Sequence, residues 1–112
     1  MNTTVETYVE VIGYHCWVNA PEEVAFLRSY HRHRFCIRSW FPVQDADREI
    51  EIFMQERLIE EALRVRFGGG HGELLFGGRS CEHIAIELLN AFPEMSACQV
   101  LEDGKGGALV RK

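Results

Sequence analysis

His31 and His33 flank a single arginine, and a third histidine, His15, stands 16 residues upstream at the end of an apolar-alternating run. At neutral pH imidazole does two kinds of chemistry, proton transfer and metal ligation, and each needs a second group held close by. In a strand successive side chains point to opposite faces, so His31 and His33 share one face, about 7 Å apart along the backbone. By itself an H-x-H pair is more often two half-exposed polar residues on a strand than a chelate. His15 separates the two readings. If the strand that ends at His15 pairs antiparallel with the one that begins at His31, three imidazoles converge, and three histidines plus a water make the open tetrahedral shell of a catalytic zinc.

The rest of the chain has to supply that strand pair. From Val5 to Trp17 the run VETYVEVIGYHCW alternates, with Val9, Val11, Gly13, His15 and Trp17 on one side, which predicts a strand. VNAPEEVAFLRSY is a turn with room for a short helical piece, and HRFCIRSWFPV resumes alternation through Phe35, Ile37 and Ser39. Pro42 ends that strand, Asp45-Ala46-Asp47 turns the chain, and REIEIF predicts a third strand with Ile50 and Ile52 on one side.

Helical periodicity then takes over. In FMQERLIEEALRVRF the apolar positions Phe53, Met54, Leu58, Ile59, Ala62, Leu63 and Val65 recur near a 3.6-residue period opposite charged residues. Gly68-Gly69-Gly70 stops this helix, and GGGHGELLFGG reads as a loop without the Lys-Ser/Thr ending of a phosphate-binding motif. Ser80 is an N-cap for a second helix with an apolar stripe of Ile84, Ala85, Leu88, Leu89 and Phe92, ended by Pro93. SACQVLE, DGKGG and ALV complete a hairpin. The order is β-β-β-α-α-β-β, or ββααββ if the third strand only leads into the helix, an α+β class.

Size and charge bound the function. The chain's 112 residues, 46% of them apolar, make one domain over 1–112 with a real core. A net charge of −5 argues against bulk nucleic-acid binding, and no apolar stretch approaches the length that spans a bilayer. Cys16, Cys36, Cys81 and Cys98 form no CxxC pair and no secretory signal opens the chain, so the expectation is a cytoplasmic protein with reduced thiols.

The pattern resembles a family. His15 at the end of the first strand, H-x-H opening the second, Ile50 and Phe53 leading into the first helix, Ser80 to Glu82 opening the second, and Val100-Leu101-Glu102 before a short return strand are together similar to the 6-pyruvoyltetrahydropterin and 6-carboxytetrahydropterin synthases. The likeness runs from about residue 5 to 111. It implies a tunnelling fold: a four-stranded antiparallel sheet with two helices on one face, assembled as a ring-shaped homo-trimer or homo-hexamer with sites at subunit boundaries. It further implies Zn2+ on His15, His31 and His33, a Glu102 carboxylate that receives the guanidine-like edge of a heterocyclic ligand with Ser80 nearby, and lyase-type chemistry on a pterin or a dihydroneopterin triphosphate-like substrate.

Three departures bear on the reaction. Leu27 stands where members carry a catalytic cysteine, Arg32 replaces the usual middle glycine of H-x-H, and His71 is the one candidate for the proton-relay histidine. Without the thiol the standard proton exchange lacks its expected group. The alternative expectation is therefore a catalytically inactive relative that binds or sequesters a purine, pterin or nucleotide.

Overall fold

The computed structural model describes all 112 residues. Strand β1 spans Thr3–His15 and β2 spans His31–Val43, joined through a 3-10 segment, Glu22–Arg28. Helix α1 (Ile52–Phe67), strand β3 (Leu74–Gly77), helix α2 (Cys81–Ala91) and strands β4 (Ala97–Glu102) and β5 (Gly106–Arg111) follow. The sheet order is β3-β1-β2-β4-β5, with β3 parallel to β1 and every other pairing antiparallel. The α+β class stands, but the expected four-stranded antiparallel sheet is corrected to a five-stranded mixed one.

The extra strand lies inside the glycine-rich segment taken for a loop. Leu74 and Phe76 are buried and Leu75 is exposed, the alternation of a strand with one covered face. Four residues flanked by glycines are too short for that period to stand out in sequence. Gly13 opposite Leu74 makes room for it. A Cβ on Gly13 would lie 2.6 Å from a ring carbon of Phe76 and 3.1 Å from one of Phe35, so only hydrogen fits where the two rings cross the strand.

The strand predicted over REIEIF is absent. Glu49 accepts the Gln44 and Asp45 backbone amides and Arg48 has φ 56, so residues 44–50 form a turn held by a side chain. Glu51 then caps α1, accepting from the amides of Phe53 and Met54. These acidic side chains satisfy locally the donors that a strand would have offered to a neighbour.

Both helices pack on one face of the sheet, in a core built around Val9, Phe35, Ile37, Phe41, Cys98 and Val100. Helix α2 buries Ile84, Ala85, Leu88 and Leu89 as its spacing predicts. Helix α1 follows its predicted stripe only at Ile59 and Leu63. It rests on the row Gln55, Ile59, Leu63 and Phe67 and leaves Phe53, Met54, Leu58 and Val65 exposed. Successive residues turn by about 100°, and a 16-residue helix against an edge of the sheet can bury only one narrow row. No helix is long and apolar enough to cross a membrane.

Candidate metal centre

The β1–β2 register pairs His15 with His31 and Gly13 with His33. All three rings therefore project from the covered face, at the end of the sheet beyond the helices' main contact. The ring centroids of His15 and His31 are 4.6 Å apart, of His31 and His33 5.0 Å, and of His15 and His33 5.3 Å. Phe35 lies edge-on behind His15 and His33, at 5.2 Å and 5.7 Å, and Phe76 backs Phe35 at 4.8 Å. The floor of the site is thus a stack of core aromatics.

Each ring is oriented through Nδ1. That atom lies 2.9 Å from the Arg79 carbonyl in His15, 2.9 Å from the Ser29 carbonyl in His31 and 2.7 Å from the Asp103 carboxylate in His33. Carbonyl and carboxylate oxygens only accept, so Nδ1 carries the proton and Nε2 of each neutral ring is a bare lone pair. All three Nε2 atoms are buried without a hydrogen-bond partner. Each ring offers one nitrogen within 4.8 Å of the others, and with Nδ1 occupied that nitrogen is Nε2. The cluster His15, His31 and His33 can hold a metal ion. An outer ring of acceptors on the non-ligating nitrogens is how metal-binding histidines are held in other proteins.

Glu102 adds charge to this lone-pair cluster. Through β4 it lies opposite Phe35, and its oxygens stand 3.1 Å from His15 Nε2 and 3.4 Å from His33 Nε2, without hydrogen-bond alignment. Two acceptors face one another there, a repulsive arrangement unless a proton or a cation lies between them. Burial, outweighing the Arg79 carbonyl and Glu102, pulls the His15 pKa below its ordinary value, which disfavours the proton. A cation on the three nitrogens resolves the conflict, so the residues present fit a divalent metal.

A cavity of about 660 Å³ opens over the cluster, lined among others by His15, His31, Glu102, Leu27 and Ser80. Ser80 accepts the His83 amide as the N-cap of α2, which fixes it at the rim. His71 lies elsewhere, exposed in the turn before β3, where it lines a separate groove with Tyr14, Tyr30 and Glu73. The arginines of β2 are also turned away: Arg34 pairs with Glu10 and Arg38 with Glu6 on the opposite face of the sheet.

Several residues reach the cavity that the sequence did not single out. Arg79, His83 and Lys105 line it. Arg79 follows β3, which leaves no spacing signal, while His83 and Lys105 lie in the predicted second helix and hairpin turn, whose sequences carry no record that they meet the cavity. Cys81 lines it too, with Sγ 3.6 Å from Glu102 Oε2. Burial, then the Glu102 charge, pushes that thiol up to about 12, so it stays protonated. Compared with protein-family models and with curated proteins, the chain matches none.

Proposed function

We propose that the protein is a zinc-dependent, lyase-type enzyme on the pattern of the 6-pyruvoyl- and 6-carboxytetrahydropterin synthases, acting on a pterin or a dihydroneopterin triphosphate-like substrate. The observation that carries the reading is the set of three buried, unpartnered Nε2 atoms facing a carboxylate under an open cavity. His15, His31 and His33 would hold the ion, which when bound supplies Lewis-acid polarisation of a substrate oxygen.

The protein's own residues do the rest. Glu102, its side chain 32% exposed, has room to accept two N–H donors from the edge of a flat heterocycle, the strongest geometry available to a carboxylate. Ser80 keeps a hydroxyl proton to donate while its oxygen caps α2. Leu27 and Trp17 line the cavity with apolar surface suited to a planar ring. His71 takes part only if a neighbouring subunit brings it to the cavity, in keeping with the homo-trimer or homo-hexamer that the resemblance implies. All four cysteines are free, which accords with a cytoplasmic setting.

A second reading is favoured by one side chain. Leu27 occupies the cavity wall where the resemblance expects the catalytic thiol, and Cys81 is held protonated, which leaves Cys16 as the other thiol of the cavity. On that reading the protein binds the heterocycle without transforming it. The test is metal analysis of the purified protein followed by incubation with dihydroneopterin triphosphate. The enzyme gives about one zinc per chain and product; saturable binding without product selects the binder. His31→Ala should lose the metal and all turnover with the fold intact, and wild-type protein that takes up no zinc ends the metal reading.

A further inference from the structure

We propose that Asp103 is a positioning residue that sets the metal affinity of the three-histidine cluster by holding His33 with a charged acceptor. The proposal rests on the metal reading above and goes beyond it, because it assigns the strength of the site to a turn residue outside the three-histidine ligand set. Among the three rings only His33 is oriented by a carboxylate; His15 and His31 lean on the backbone carbonyls of Arg79 and Ser29.

The construction around Asp103 is specific. Its Oδ2 is 2.7 Å from His33 Nδ1, and its Oδ1 accepts the Arg34 amide at 3.0 Å. Its own amide donates to the Arg34 carbonyl at 2.8 Å. Asp103 has φ 56 and Gly104 φ 71, the two positive values of the tight hairpin turn that favours Asp-Gly. A side chain other than Gly, Asn or Asp is strained at that backbone. The β4–β5 turn therefore delivers both carboxylate oxygens to β2 at the ring that needs one of them.

The consequence is chemical as well as mechanical. An acceptor with full negative charge on Nδ1–H makes Nε2 a stronger donor than a carbonyl does, and loss of such a partner typically weakens metal binding about 10- to 100-fold. His33 is thereby the strongest of the three ligands, and its grip depends on a turn at the far end of the sequence.

Two variants separate charge from shape. Asp103→Gly keeps the positive-φ turn but removes both oxygens; Asp103→Asn keeps the turn and an acceptor but removes the charge. Zinc dissociation constants by competition with a chelating dye, with metal-free melting temperatures and the visible spectrum of the Co2+-loaded proteins, read the outcome. The expectation is a loss of about 10- to 100-fold in affinity for Asp103→Gly, a smaller loss for Asp103→Asn, and a shifted Co2+ band in both. A metal-free protein that melts as wild type while its zinc affinity falls supports positioning. Wild-type affinity and an unshifted band in Asp103→Gly overturn the proposal while the metal reading stands. A wild type that binds no metal overturns both.

Discussion

Two buried thiols show how far a single residue's surroundings govern its chemistry. Cys98 is fully buried beneath Ser39, and burial pushes its pKa up to about 11 from 9.0. A raised folded pKa favours the protonated form, so this contribution to stability is complete below the unfolded pKa of 9.0 and is lost as pH rises through that range toward about 11. Urea unfolding at pH 8 and pH 10 should show wild type losing about 1 kcal/mol more than Cys98→Ala. Equal losses in the two proteins would mean that the thiol is not sealed as described. At the cavity thiol Cys81 burial is joined by the Glu102 charge, and that thiol too stays protonated.

At the level of elements, the three-histidine cluster is made by strands and turns, while helix α2 brings its cap and first turn to the cavity wall. Strand β1 supplies His15, β2 supplies His31 and His33, β3 leads to the Arg79 carbonyl, β4 ends in Glu102 and the β4–β5 turn supplies Asp103. The contact that joins β3 to this set is Gly13 beneath Phe76, and Phe76 in turn supports Phe35 behind two of the ligand rings. Gly13→Val should displace that stack, costing about 1 to 3 kcal/mol of stability and weakening zinc binding in the same protein. Calorimetric melting and a zinc titration measure the two effects; a variant with wild-type melting and affinity would show that the rings do not pack as a unit.

Across the whole molecule the sheet ends in two unpaired strands, β3 and β5. Open edges with free backbone groups invite pairing with further chains, and the helix-free face carries Glu6, Glu10, Arg34 and Arg38 in cross-strand ion pairs where a neighbouring sheet could pack. The ring assembly proposed from the resemblance would close on such edges. Multi-angle light scattering of the purified protein should give three or six copies per particle, independent of metal if the edges alone drive assembly. A stable monomer at micromolar concentration would refute it and would remove the route by which His71 could reach a cavity.

Sequence alone determined what depends on local periodicity. The alternation of β1 and β2, the cap at Ser80 and the Asp-Gly hairpin follow from side-chain direction, side-chain capping and φ preference. Helix α1 also stops at Gly68 as expected, but with Gly68 extended at φ -63 and not in the left-handed turn that glycine favours. From these, the meeting of His15 with His31 and His33 follows by antiparallel register. What needed tertiary structure is whatever depends on which neighbour is present. Strand β3 exists because β1 offers it a partner, and α1 turns its Gln55–Phe67 row inward because the sheet edge admits only that row. Asp103 meets His33 because β4 lies beside β2 across 70 residues of chain. Periodicity records which face a residue takes within its own element; it carries no record of which element will lie opposite.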